Sequence, residues 1–300
     1  MTDILRFVGE TPLAELKKIN DTGCRLFAKL EFLNPSGSVK DRMAHEMVLC
    51  AERDGDLKLG MRIIEATSGN TGISFAMIAA ARGYRFTAVM PENMTLERRQ
   101  MISAFGGEII LTPAKDDMAG TMKKLEQLKG TAKNAWFPQQ FENPDNIAAH
   151  VKTGNEILKD LGHVDAFVAG VGTGGTLMGV AKALRKKNKN VRIVAVEPME
   201  SAAMSGGKIG RHEIQGIGEG VVPQLLDFDQ IDEIIRVRSR DAIAMTKRIA
   251  REEGMLCGIS SGANVLAALQ VGCRKEFKGK NVVTVLCDRG ERYLSLGIFK

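Results

Sequence analysis

The sequence predicts an α/β protein made of parallel βαβ units in two halves, and three observations lead there. From residue 61 onward, β-rich runs alternate with amphipathic or Ala-rich runs, the pattern of strands joined by crossover helices. Two stretches repeat one plan of apolar strand, turn of small residues and helix: 61–66, 67–72 and 73–84, then 165–171, 172–176 and 177–187. The stretch 130–144 lacks a helical pattern and holds two prolines, so a boundary between the halves is expected near residue 145.

In chain order, strands are predicted over 25–33, 61–66, 86–90, 108–112, 166–171, 192–196, 233–237 and 282–287, each a short apolar run, with helices between them. Arg82-Gly83-Tyr84 and Phe105-Gly106-Gly107 read as helix ends, with glycine where the chain turns left-handed. Before the helix over 43–51 stands Asn34-Pro35-Ser36-Gly37-Ser38-Val39-Lys40-Asp41-Arg42. Pro35 and Gly37 forbid a continuing element, and Ser38 with Asp41 three places later resembles a capping box. Lys40 then sits in the first turn of that helix. A helix N-terminus and burial both disfavour an ammonium there, which suits a neutral amine that attacks an aldehyde.

The ordinary alternative is a solvated lysine, and the two glycine-rich turns argue against it. Thr67-Ser68-Gly69-Asn70-Thr71-Gly72 and Gly172-Thr173-Gly174-Gly175-Thr176 each lead into a helix whose free N–H groups can hold an anion. The chain thus offers two anion cradles and one activatable amine. An amino acid has a carboxylate; pyridoxal phosphate has a phosphate and an aldehyde.

Composition narrows the classes. With 300 residues, 44% hydrophobic and 26% charged, the chain can bury a large core. Met-Thr-Asp-Ile-Leu-Arg at the start lacks the regions of a signal peptide, and no apolar run approaches about 18 residues. A cytoplasmic protein without a membrane is expected. Five scattered cysteines without a C-x-x-C pair, and four histidines far apart, predict neither disulfides nor a metal site. The net charge of +6 raises nucleic acid as a partner. Yet the one dense basic run, Arg185-Lys186-Lys187-Asn188-Lys189, ends a predicted helix and has no interleaved aromatics, so no nucleic-acid partner is expected.

Read together, the motifs resemble the cysteine synthases (O-acetylserine sulfhydrylases) among the fold-type II pyridoxal-phosphate enzymes. They are G-x-T-P-L at 9–13, S-V-K-D-R around Lys40, T-S-G-N-T-G at 67–72, Q-F-x-N-P at 140–144 and G-T-G-G-T at 172–176. G-I-G at 216–218, G-I-S-S-G at 258–262 and G-E-R-Y-L-S at 290–295 follow in order. The resemblance implies two open twisted sheets, mostly parallel, with helices on both faces, like the tryptophan synthase β fold. It implies a smaller mobile domain, 1–12 and 35–145, and a larger one, 13–34 and 146–300, with pyridoxal 5'-phosphate between them, and a homodimer.

On the same ground Lys40 would bond the cofactor and serve as catalytic base, and Asn70 would hydrogen-bond the ring's phenolic oxygen. Gly172, Thr173, Gly174, Gly175 and Thr176 would bind its phosphate. Ser260, read as the residue that starts a helix over 261–269, would face the pyridine nitrogen. A neutral hydroxyl there leaves a weak electron sink, which favours β-elimination and replacement over transamination. Thr67, Ser68, Gly69 and Thr71 would hold the substrate carboxylate, with Gln140 closing over it. The implied reaction forms L-cysteine from O-acetyl-L-serine, or another O-activated serine, and sulfide through an α-aminoacrylate.

Alternatives stay open on particular residues. Gly170-Val171-Gly172-Thr173-Gly174-Gly175 also satisfies G-x-G-x-x-G, with Glu197 placed for a ribose contact, as in a dinucleotide-binding dehydrogenase. Glu219 stands where these enzymes usually carry a small residue, which suggests L-cysteine as first substrate with release of sulfide. Arg211, Arg289 and Arg292 suggest a phosphorylated leaving group. Asp288-Arg289-Gly290 resembles the B-type isozymes and 214–218 the A-type.

Overall fold

The alternating runs fold into two sheets. The computed structural model describes residues 3–300, apart from the Asp117 side chain. Met1 and Thr2, which open the stretch read for a leader, lie outside the described residues. In chain order the elements are β1 Leu13–Glu15, β2 Arg25–Leu30, α1 Lys40–Asp54, β3 Arg62–Ala66, α2 Asn70–Arg82, β4 Arg85–Pro91 and α3 Leu96–Ala104. β5 Glu108–Thr112, α4 Asp117–Thr131 and β6 Ala135–Trp136 complete the first half, and α5 Asp145–Leu161 opens the second. The second half carries β7 Ala166–Gly170, α6 Gly175–Lys187, β8 Arg192–Pro198, β9 Glu233–Val237, α7 Ser239–Arg248, α8 Ile259–Gly272 and β10 Asn281–Leu286.

Among the described residues, the smaller sheet has the order β5-β4-β3-β6, with every pair parallel. The larger has the order β1-β2-β10-β7-β8-β9, parallel except for β1 against β2. Both are buried on both faces, which is why their strands read as apolar runs rather than clean alternations. In the larger sheet Val168, Val194 and Val282 pack with residues of α7 and α8, while Phe167, Ile193 and Val283 pack with residues of α5 and α6. No helix among the described residues is long and apolar enough to cross a membrane.

Each sheet has one strand from which the chain order departs in opposite directions, β3 in the smaller and β7 beside β10 in the larger. A crevice opens beyond the carboxyl ends of strands at such a switch point. The turns after β3 and β7 are the two glycine-rich turns, so topology alone puts both anion cradles over crevices.

Several local expectations change. The strand over 25–33 stops at Leu30 and continues as a 3-10 turn, Glu31–Leu33, because Glu31 turns inward to meet Arg42. β1 and β6 are too short to show a sequence pattern. The capping box does not form: Val39 is the N-cap of α1 and the buried Ser38 hydroxyl has no hydrogen-bond partner. Asp41 instead turns back, accepting from Ser36 N at 2.7 Å and Ser74 Oγ at 2.5 Å. Ser260 does not cap α8 either, since Gly258 is the N-cap and Ser260 stands inside the first turn.

Candidate active site

Lys40 is the first residue of α1, but what fixes it belongs to the other sheet. Val39 N donates to Cys287 O at 2.8 Å, Arg289 N donates to Gly37 O at 3.1 Å, and Ser38 pairs with Asp288 as an antiparallel bridge. The lysine segment is therefore an extra rung on the chain leaving β10. Gly37 permits this with φ +92; a Cβ there would sit 3.0 Å from Arg289 Cδ and Arg292 Nη2.

Two adjoining clefts meet at Lys40. Lys40, Ser68, Asn70, Thr71, Gln140, Gly172, Thr173 and Glu219 line one. Lys40, Asn70, Gly172, Thr173, Gly174, Thr176 and Ser260 line the other, together with Asn264 and Cys287. Of the residues expected to hold the cofactor or the substrate carboxylate, Thr67, Gly69 and Gly175 do not line either cleft. Thr67 is buried, and its hydroxyl accepts from Gly69 N at 2.9 Å and Gly72 N at 3.2 Å, so it shapes the turn. Gly69 has φ +143, and any Cβ would overlap the Arg98 side chain beneath it. Gly175 lies against Asn146, where a side chain has no room.

The second cleft fits pyridoxal phosphate on its own chemistry. Among the described residues no carboxylate lines it, and Lys40 is its one cation. Gly172 keeps the wall thin: a Cβ would stand 2.5 Å from Gly216 O and close the cradle. The N-terminus of α6 faces this space, and Thr173 and Thr176 add hydroxyls to its N–H groups. Thr176 Oγ1 lies 3.2 Å from His150 Nε2, and burial followed by the charge of Arg42 pushes His150 down to about 3. That imidazole is neutral at ordinary pH.

In the first cleft the lining side chains bond to one another. Gln140 Oε1 accepts from Thr71 Oγ1 at 2.7 Å and Gln140 Nε2 donates to Ala66 O at 2.7 Å, which fixes the amide and leaves its second N–H for a ligand. Ser68 Oγ donates to Glu219 Oε1 at 3.2 Å, a contact from the first half to the loop of the second. Glu219 thus lines the same cleft as Lys40. Arg292 is buried and Arg289 donates to Phe32 O at 3.0 Å, so of the three arginines only Arg211 stands at the open end of the cleft. Glu197 accepts from Met204 N at 2.8 Å and from Ser205 N at 3.2 Å, which removes the carboxylate a dinucleotide ribose would need.

Sequence reasoning passed over Asn146, Asn264, Cys287, Arg98 and Asp288. Asn146 Nδ2 donates to Gln140 O and to Thr173 Oγ1, both at 2.9 Å, which ties the two cradles together. Asn264 Oδ1 accepts from Gly170 N at 2.7 Å and holds the end of β7. Cys287 lines the second cleft, and burial pushes its thiol up to about 12. Asp288 is read only as part of the triplet resembling the B-type isozymes, and the others stand in no local pattern that signals chemistry.

Glu65, at the end of β3, carries a test of how dry this region is. Burial pushes its carboxyl up to about 8, against the pull of the Gln139 and Gln140 amides. Between its unfolded value near 4.5 and about 8 the folded chain keeps a proton that the unfolded chain releases, so stability falls as pH rises. Each unit is worth about 1.4 kcal/mol. Glu65→Gln should remove this loss: its melting temperature should gain on the wild type from about pH 5 to about pH 8 and then run parallel. A gap that does not change with pH would refute the burial argument.

With the geometry described, comparison with known proteins adds to it. Residues 4–288 match the family described as pyridoxal-phosphate dependent enzyme. The chain is 48% identical to a cysteine synthase of Staphylococcus aureus over 99% of this chain and 96% of that one. A cysteine synthase structure from Entamoeba histolytica superposes with a TM-score of 0.95 at 43% identity, covering 100% of this chain and 90% of that one. A hydrogen sulfide-producing enzyme from Fusobacterium nucleatum superposes with a TM-score of 0.95 at 41% identity, covering 98% of this chain and 99% of that one.

Proposed function

The chain belongs to the pyridoxal-phosphate dependent enzymes, and from this and the site we infer that it forms L-cysteine by β-replacement from O-acetyl-L-serine and sulfide. The observation that carries the reading is the placement of Lys40. Backbone pairing with the chain after β10 holds it where two adjoining clefts meet, the second lined by no carboxylate among the described residues, which supports a substrate in the first and the cofactor phosphate in the second.

When bound, pyridoxal phosphate supplies the electron sink that makes the substrate's Cα–H acidic. We assign the other tasks to this chain's residues. Lys40 Nζ, which lines both clefts, would hold the cofactor through its aldehyde and would serve as the base for the substrate's Cα proton. The N–H groups and hydroxyls of 172–176 would hold the phosphate, Asn70 would donate to the ring oxygen, and the Ser260 hydroxyl would serve the ring nitrogen without giving it a full proton. Ser68 and Thr71, which line the cleft beside Lys40, would hold the substrate carboxylate. Gln140 has a second N–H beyond the one on Ala66 O and would turn it to the carboxylate as the cleft closes and excludes water. The bodies that move are 1–12 with 35–145 and 13–34 with 146–300, and the enzyme works as a cytoplasmic homodimer.

A second reading is favoured by Glu219 on Ser68 and by the hydrogen sulfide-producing relative: L-cysteine as first substrate, sulfide as leaving group. An absorbance titration separates the two. The cofactor-loaded protein should show a visible band that moves to longer wavelength with O-acetylserine. A shift with cysteine alone transfers the case to the second reading, and one with O-phosphoserine alone gives Arg211 the leaving group.

A further inference from the structure

Behind Asn70 lies a buried charged cluster to which the reaction as assigned gives no task. Asn70 Nδ2 donates to Asp288 Oδ2 at 2.7 Å, and Arg292 Nη1 donates to Asn70 Oδ1. Tyr293 OH donates to the same Asp288 oxygen at 2.7 Å and accepts from Arg98 Nη2 at 2.9 Å. None of Arg98, Asp288, Arg292 and Tyr293 is more than 2% exposed. Apolar side chains of similar volume would fill such a space at no loss of stability, and often with a gain. Asp288 Oδ1 and the Nε atoms of Arg98 and Arg292 are even left without partners, a further cost that packing does not explain.

The effect falls on one amide. Arg292 can only donate, so it takes the Asn70 oxygen, and Asp288 accepts, so it takes one N–H. The amide cannot flip. Its second N–H is left for whatever fills the cleft that Asn70 lines beside Lys40. A guanidinium on the amide oxygen also draws charge from the nitrogen and strengthens the remaining N–H as a donor.

We propose that Asp288, supported by Tyr293 and Arg98, acts with Arg292 as a set of positioning residues that lock Asn70 as a pure donor towards an anionic oxygen of the cofactor ring. This rests on the reading that the cleft takes pyridoxal phosphate through Lys40. The set tunes both the hold on the cofactor and its absorbance through Asn70.

The test uses the cofactor-loaded protein and reads pyridoxal phosphate affinity, by dialysis and rebinding, together with the visible band. Asp288→Asn should weaken affinity about 10- to 100-fold, the worth of a charge-assisted hydrogen bond, and move the band. Tyr293→Phe, which keeps the ring and removes only the hydroxyl on Asp288, should act in the same direction by about 3- to 10-fold. Glu97→Gln serves as control: Glu97 accepts from Ser295 N and Oγ at 2.8 Å on the same C-terminal segment but lies outside the cluster, so nothing should change. Folded Asp288→Asn and Tyr293→Phe proteins with unchanged affinity and band would overturn the proposal, even with a lowered melting temperature. Should Asp288→Asn fail to fold, Tyr293→Phe decides alone by the same two readings. A wild-type protein that takes up no pyridoxal phosphate would sink the cofactor reading itself, a different outcome.

Discussion

Lys40→Ala is expected to lower turnover by at least about 10³-fold while the melting temperature stays within a few degrees of the wild type. The asymmetry follows from how the residue is held. Gly37, Ser38 and Val39 pair through backbone atoms with the chain after β10, so the side chain plays no part in placing the segment. Among the described residues no hydrogen bond or ion pair holds Lys40 Nζ, so its removal leaves no buried partner unsatisfied. What disappears is the one amine facing both cradles. Steady-state rates with O-acetylserine and sulfide, beside a thermal melt, check both halves. Rates within a few-fold of the wild type would end the assignment, and a collapsed melt would show that the lysine is structural.

The largest effect on stability is expected one turn away. Arg42 Nε and Nη2 donate to Glu31 at 2.6 and 2.8 Å, and Nη1 and Nη2 donate to Glu156, both at 2.7 Å. Lys29 Nζ adds an ion pair to Glu156 at 2.9 Å. The cluster bolts α1 to the turn after β2 and to α5, and so fixes the helix that begins with Lys40. Burial alone would raise both carboxyls, but the guanidinium outweighs it, holding Glu31 below its usual range and Glu156 at about 2. Arg42→Met fills much of the volume and leaves Glu31 without its cation, which should cost about 3 to 5 kcal/mol. The melting temperature should fall by roughly 10 °C, taking about 2 to 4 °C for each kcal/mol. The sign with pH follows from lowered folded values: the wild-type contribution is in full force above about 4.5 and fades as pH falls through about 2. The gap between wild type and variant should therefore shrink in acid. A variant as stable as the wild type at neutral pH, or a gap that grows in acid, would contradict this.

The motifs and the fold class were legible because they are local. A glycine-rich turn after an apolar run announces strand, cradle and helix within about a dozen residues, and the lysine segment carries its own breaks in Pro35 and Gly37. The strands that escaped notice, β1 and β6, are three and two residues long and offer no period to read. The capping box misled because Ser38 and Asp41 stand at the right spacing, yet the backbone of Ser38 is committed to Asp288, 250 residues later, and Asp41 to Ser36 and Ser74. Asn146 and Asp288 were illegible for the same reason: what they do is set by partners 27 and 218 positions away. Glu197 shows the converse. Its spacing from the glycine turn suits a ribose, but its carboxylate is already bonded to the loop after β8.

The account turns on the link between one amine and the cofactor aldehyde, and borohydride reduction followed by peptide mapping reads that link directly. The cofactor-loaded protein should yield a single stable pyridoxyl peptide, modified at Lys40. A modified peptide from any other part of the chain, or none in protein that has visibly taken up the cofactor, would contradict the account.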